Sequence, residues 1–562
     1  MPIAPTAGPP PAPAAPAAAI PAVRPHVTRC GPVRKSRRFR WRVVAWVAVH
    51  VLAFVHIAHW KVTGRTLTPV EPSEAMQTLE LGKLNAGFIL FFVSILATLI
   101  LGRFFCGWAC HVVAYQDACA WVLRKMGLHP RPFRSRLLVL VPFGAALYMF
   151  VWPTVERALL QGREAPPLVE HFTTGSFWRT FPGPWMALLT VLVDGFLIVW
   201  FLGAKGFCTY GCPYGAVFGM VDRLAVGKIR VTDACEGCGH CTATCTSNVR
   251  VHEEVRLYRM VVDPGCMKCM DCIDVCPKGA LYFGFGWPAL GAKPRMKRPR
   301  RVYDLPWAGE FALAAIFGIS LYTWRNLYGA IPFLLTLGLS VLTAFVALLF
   351  WRLLRRRDFR MQSLTLRREG RFTAAGAAAL VLLPLFFLFV GRSALLQFHV
   401  KEGERLLRRA REVPPEERGK VAERSLAHLR SAEALALVDF APLEMLLGNA
   451  LSYFEGSREE AERKYRRAVA ISPSSLSSRP PRFRLARLAA ERQDFAAAEA
   501  ELVALLAIDP EADDGLEIEA RFDLASALKK RGDLEGAARQ LVEILRIDPR
   551  NALAPVLLAQ IR

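Results

Sequence analysis

Twelve of the fourteen cysteines in this 562-residue chain fall into four short groups, and none lies beyond Cys276. Two of the groups are C-x3-C pairs, Cys106–Cys110 in GRFFCGWACH and Cys208–Cys212 in KGFCTYGCP. Each pair has a basic residue three positions before its first cysteine, Arg103 or Lys205. Each also has a phenylalanine directly before that cysteine and an aromatic between the two. The other two groups are CEGCGHCTATC at 235–245 and CMKCMDCIDVCP at 266–277, both C-x2-C-x2-C-x3-C. Thiolates are soft ligands, so this is iron–sulfur or zinc chemistry before it is anything else.

The eight-cysteine spacing is that of bacterial two-cluster ferredoxins. Three cysteines in a tight loop wrap one face of a [4Fe–4S] cube. The fourth begins a helix and points at the other cube. One cluster is then expected on Cys235, Cys238, Cys241 and Cys276, and the second on Cys266, Cys269, Cys272 and Cys245. Paired zinc sites do not need this interlocked order.

The elements that position these groups are apolar. The chain is 53% hydrophobic and carries a formal net charge of +24. Long apolar runs at 41–60, 84–102, 136–153, 185–203, 308–325, 330–351 and 373–392 predict about seven transmembrane helices. Basic clusters abut those runs, as positive-inside loops do, and form no separate patch of the kind that binds nucleic acid. Their alternation puts the N-terminus and residues 205–306 in the cytoplasm of a bacterial inner-membrane protein. The C-terminus falls outside, in the periplasm, provided that the fifth segment, which carries Glu310, spans. All the cysteines then lie on the cytoplasmic side, where thiols stay reduced.

Helices one and two with the first C-x3-C repeat as helices three and four with the second. A parallel repeat of that kind brings Cys106, Cys110, Cys208 and Cys212 together. They suit a third cluster, a pair of redox thiols, or reduced cysteines packing a turn, with Arg103 and Lys205 favouring thiolates. Asp194 sits mid-way along the fourth apolar run, where a charge is costly. It is a quinone or proton candidate, or a hydrogen-bonded link between helices. His56 and His59 share a face of the first helix and are further quinone candidates. A bis-histidine haem is not expected, because no other predicted helix interior carries a histidine.

The expected domain order is a disordered and basic tail at 1–38, a four-helix membrane domain at 39–215 and an α+β two-cluster segment at 216–300. Three further transmembrane helices at 301–395 and a helical repeat domain at 396–562 follow. In the last part YRRAVAISP, LVALLAIDP and LVEILRIDP align, each preceded by a turn and an alanine-rich helix. Ala461, Ala498 and Ala537 sit where paired helices approach closely. The pattern resembles tetratricopeptide repeats, whose stacks bind protein partners.

Taken together, hairpins ending in C-x3-C and a following two-cluster segment resemble the NapH/NosR/CcoG-type membrane polyferredoxins over about residues 40–285. The eight ferredoxin cysteines and Cys212–Pro213 match directly. Cys106–Cys110 matches in spacing, with His111 in place of the usual proline. The resemblance implies electron transfer at the membrane, from quinol toward a respiratory partner, or a role in maturing a respiratory enzyme. No dinucleotide-binding fingerprint is present, so a relay without hydride chemistry of its own is the reading. An assembly factor using cluster and thiol redox chemistry is the alternative.

Overall fold

The computed structural model describes residues 32–562 apart from 163, 165, 299–302, 510–514 and 562. Cys30 and most of the expected disordered tail lie outside the described residues. All seven apolar segments are helical. Four helices are long and apolar enough to cross a membrane alone: Arg38–Thr63, Pro184–Leu202, Phe333–Arg355 and Ala374–Glu412. A fifth is the pair Leu138–Phe150 and Trp152–Leu160, bent by 44°, if the two halves make one span.

The remaining two segments differ from simple spans for local reasons. Ala86–Leu101 has only 16 residues, about 24 Å of helix. Asn85 starts it by accepting the Phe88 N–H on its side chain, and Gly102, at φ 68°, ends it. Trp307–Trp324 carries Glu310 in its first turn, fully buried. That carboxylate accepts from Ser135 Oγ at 2.5 Å and from the Arg136 backbone N–H at 3.0 Å. Its charge is thus satisfied by the residues that lead into the third apolar segment, as burial requires.

The first helix pair and the second are tied together at one end of the membrane domain. Thr66–Leu67 pairs antiparallel with Thr173–Thr174, and Lys83–Leu84 pairs parallel with Val169–Glu170. At the other end sits the two-cluster segment, closed by the antiparallel strands Gly227–Val231 and Leu281–Phe285.

The last membrane helix does not stop at the expected boundary near residue 395. Ala374–Glu412 runs on unbroken for 39 residues and packs against Pro415–Leu435. Helix pairs follow in order: Ala441–Leu451 with Arg458–Ile471, Arg479–Glu491 with Phe495–Ala507, and Leu516–Lys530 with Leu534–Ile547. Ala461, Ala498 and Ala537 are all buried, as close helix approach demands. This array rests on the strand-tied end of the membrane domain. Ser176 Oγ donates to Asp509 at 2.5 Å, Gln397 donates to the Arg325 carbonyl at 2.7 Å, and Tyr328 meets Phe440 at 5.2 Å between ring centroids.

Candidate iron–sulfur centres

The two ferredoxin loops have the same backbone trace. Left-handed residues recur at the second and fourth positions after the first cysteine: Gly237 and Gly239 in one loop, Lys268 and Met270 in the other. A third recurs three residues after the last cysteine, at Asn248 and Gly279. Non-glycine residues in that region are uncommon. Lys268 and Met270 are held there by what their side chains reach: Lys268 Nζ is 2.8 Å from Asp222 Oδ1, and Met270 is buried in the core.

The structure places the eight cysteines in two neighbouring groups. Cys235, Cys238, Cys241 and Cys276 line one small cavity. Cys272 lies within electrostatic reach of Cys269, Cys266 and Cys245. It also senses Cys241, so the sets are neighbours. Burial pushes the Cys241 and Cys245 thiols up to about 12. Thiolates there need a compensating cation, which fits a four-thiol set made for iron. Such a cluster, when bound, takes up and releases single electrons.

The C-x3-C turns fold back into the membrane domain. Gly102 touches Lys268 and Asp222, whereas His111, nine residues later, lies 3.8 Å from Glu71 at the opposite end of helix Ala86–Leu101. Cys110 and Cys212 begin the outgoing helices His111–Lys125 and Pro213–Asp222 with matching backbone, φ −71° ψ 120° and φ −77° ψ 110°. His111 in place of proline leaves the turn unchanged, since the first helical position has no helical hydrogen bond to lose.

All four thiols converge. Cys212 is within electrostatic reach of Cys208, Cys110 and Cys106. Phe91, Phe218 and Trp46 wall the same core. Arg103, buried, aims Nη2 at Cys106 Sγ, 3.8 Å away. Gln116 Nε2 donates to Cys208 Sγ at 3.1 Å. Gln116 Oε1 and Arg103 Nε are buried around this site without a hydrogen-bond partner. Lys205 departs from the symmetry. It pairs with Asp117, although its charge still opposes the burial that pushes Cys208 up to about 11.

Two buried ion networks clamp the second ferredoxin loop onto this site. Arg42 Nη1 and Nη2 bind Asp271 at 2.8 Å and Asp117 at 2.6 Å, and its Nε donates to the Gly107 carbonyl at 3.0 Å. Asp222 binds Lys268 and Lys228 and accepts the Arg103 backbone N–H. Burial alone would raise the Asp222 carboxyl; the two ammonium groups overcome it and hold it below the ordinary value. Between the networks, a Cβ on Gly107 would stand 2.2 Å from the Met267 carbonyl, so only glycine allows that approach. Trp108 Nε1 donates to the Lys268 carbonyl at 3.0 Å. In the sequence, Arg42 is one of a run of positive-inside charges. The run conceals one arginine, five residues into the first helix, that has two carboxylate partners.

Asp194 is fully buried in a π-helical turn, Val191–Leu197, with neither carboxylate oxygen hydrogen-bonded. Such turns are frequent at functional sites. The Tyr115 ring packs at the adjoining Gly195, and Tyr115 is within electrostatic reach of Asp194, Cys208, Cys110 and Cys212. His56 and His59 lie elsewhere, against the strand-tied end. His56 Nε2 contacts the Leu67 carbonyl at 2.9 Å, and His59 Nδ1 contacts Thr66 Oγ1 at 2.9 Å. The structure therefore does not bring the histidines to Asp194.

These features define a class: an iron–sulfur protein with doubled membrane hairpins and a two-cluster segment. A 4Fe-4S binding domain model matches residues 86–129 and 184–232, one for each C-x3-C unit, and a 4Fe-4S dicluster domain model matches 234–281. The ferredoxin-type protein NapH of Haemophilus influenzae is 28% identical over 36% of this chain and 67% of its own length. NapH of Escherichia coli K12 is 27% identical over 41% of this chain and 78% of its own. The methylamine utilization ferredoxin-type protein MauN of Methylobacillus flagellatus is 27% identical over 39% and 81%. A thermophilic TPR protein of Thermus thermophilus aligns with 32% of this chain and 94% of its own, at 20% identity and a TM-score of 0.21. Over 36–41% of its length the chain is similar to these NapH and MauN ferredoxin-type proteins, and its C-terminal part is an array of paired helices.

Proposed function

We propose that this protein carries electrons from a quinol, or from a membrane partner, through the four C-x3-C thiols to the two ferredoxin clusters. The observation that carries this reading is the seat of Met267 on Gly107. It presses the loop of Cys266, Cys269 and Cys272 onto the turn between Cys106 and Cys110. A third four-iron centre held by Cys106, Cys110, Cys208 and Cys212 would complete an unbroken series. The order is then the C-x3-C site, the Cys245/266/269/272 set and the Cys235/238/241/276 set.

The chain's own residues do the rest. Arg103 supplies positive charge at the thiol site, where extra electrons add negative charge. Asp194 lies beside Tyr115, at the edge of that site, and is positioned to accept a proton released as a quinol is oxidised. His56 and His59 are a second quinone candidate, remote from the thiols. In the membrane, the seven helical segments all cross or re-enter. Glu310 at the ferredoxin end of Trp307–Trp324 and Arg325 at the repeat end support that helix as a span. The ferredoxin segment is then cytoplasmic and the repeat array periplasmic, where it recruits a protein partner.

Iron and acid-labile sulfide in anaerobically purified protein test the reading. About twelve irons per chain, three four-iron clusters, with clusters reduced by added quinol, is the expected result. About eight irons and no reduction by quinol would favour the assembly-factor reading, with four thiols left for metal or disulfide chemistry.

A further inference from the structure

The second ferredoxin loop is buried against the membrane domain, but the first is not. Gly237 and Gly239, beside Cys238, face open space. They form one wall of a cleft of about 3420 Å³ that separates the ferredoxin segment from the ends of the membrane helices. Small-molecule pockets are commonly about 300–1,000 Å³, so this cleft is several times too large for a metabolite.

Its other walls are cationic. Arg34 and Lys35 precede the first helix and Arg40 lies in its first turn, Arg124 lies in the last turn of helix His111–Lys125 and Arg131 follows it, and Arg360 comes from the strand Phe359–Met361. Among the described residues, none of these six has a carboxylate partner. The five carboxylates that line the cleft are otherwise engaged: Asp117 and Asp271 by Arg42, Asp304 by the Arg134 backbone N–H at 2.7 Å, Glu236 by Lys278 at 2.9 Å and Glu253 by Arg250 at 3.1 Å. Arg134 adds a further cation, close enough to the paired Arg250 to be repelled by it. Residues 1–31 contain no Asp or Glu.

The geometry points to this cleft as the docking site of an acidic electron-transfer protein, whose redox centre comes to rest beside Cys238. This rests on the relay reading and names its exit. Electrostatically steered association of small redox proteins uses such complementary surfaces, and salt weakens it. A lipid headgroup is the rival occupant, because Trp41 and Trp121 stand on the cleft wall.

The test uses the full chain in phosphatidylcholine nanodiscs, with an acidic plant-type [2Fe–2S] ferredoxin as probe and basic cytochrome c as control. Binding is read with a redox-inert, gallium-substituted ferredoxin, and electron transfer by stopped flow with the native one. The expected result is ferredoxin binding that weakens at least tenfold between about 50 and 200 mM salt. A further tenfold loss is expected in Arg124→Glu/Arg131→Glu/Arg360→Glu, at unchanged iron content, with no comparable binding of cytochrome c. Salt-independent binding, an unaffected variant, or equal binding of both probes overturns the docking site. So does a variant that binds ferredoxin as the wild type does and differs only in its response to phosphatidylglycerol built into the nanodisc. Binding without electron transfer would count against the relay and leave the docking surface standing.

Discussion

Gly338 of helix Phe333–Arg355 leaves the space that the Asp194 carboxylate fills: a Cβ at 338 would stand 1.7 Å from Asp194 Oδ1. The fourth and sixth apolar segments are thereby fitted to one carboxylate. Gly338→Ala is expected to displace that group, at an overpacking cost of about 1–3 kcal/mol. Asp194→Asn keeps the shape and removes the acid. Both variants should retain wild-type iron content and lose at least tenfold in the rate of quinol-driven cluster reduction. Reduction by dithionite should be unaffected. A wild-type quinol rate in Asp194→Asn would remove Asp194 from the proton path.

The four converging thiols make a second prediction. Cys106→Ser and Cys212→Ser lie in different repeats, so each should cause the same loss if one site uses both. Iron is expected to fall from about twelve to about eight per chain, while the electron paramagnetic signals of the two ferredoxin clusters persist. Eight irons in the wild-type protein, unchanged by either substitution, would show that the thiols hold no cluster.

Much of this site was legible because cysteine spacing encodes it directly. The eight-cysteine pattern and the doubled C-x3-C are visible by counting residues between thiols. Other features depend on distant partners and leave no local trace. Arg42 is one arginine in a basic run until Asp271, 229 positions away, is seen beside it. Lys268 carries no signal of its own in CMKC, yet its left-handed backbone and its bond to Asp222 make it an anchor. Gly338 is unremarked in an apolar run, because only packing reveals what a side chain there would strike. The membrane count was the least legible quantity. Hydropathy marks apolar segments, but it does not say that Ala86–Leu101 is followed by a turn that re-enters the domain.

Arg42 gives a third prediction. Arg42→Gln leaves Asp117 and Asp271 buried with a weaker partner, and breaking a buried ion pair on one side costs about 3–5 kcal/mol. Lys205 still holds Asp117, so the larger loss falls on Asp271 and the loop that carries Cys266, Cys269 and Cys272. Hydrogen exchange should rise across 266–276 while that of 235–245 changes little. Equal protection in both loops would show that the clamp contributes nothing.

Asp222 gives the last, and its sign follows from the direction of its shift. Lys268 and Lys228 hold the folded carboxyl below the ordinary value of about 3.9. A depressed carboxylate contributes stability that is present above the unfolded value and is lost as pH falls through the folded one. Asp222→Asn removes that contribution and strands two buried ammonium groups, for an expected loss of about 3–5 kcal/mol near neutral pH. The gap between wild type and variant should hold from pH 7 down to about 5 and narrow only below about 4. Thermal unfolding followed by circular dichroism across that range measures it, with cluster absorbance recorded in parallel to separate acid loss of iron from loss of the fold. A gap that is constant to pH 3 would mean that Asp222 acts through shape alone, and that its charge does not join the ferredoxin segment to the membrane domain.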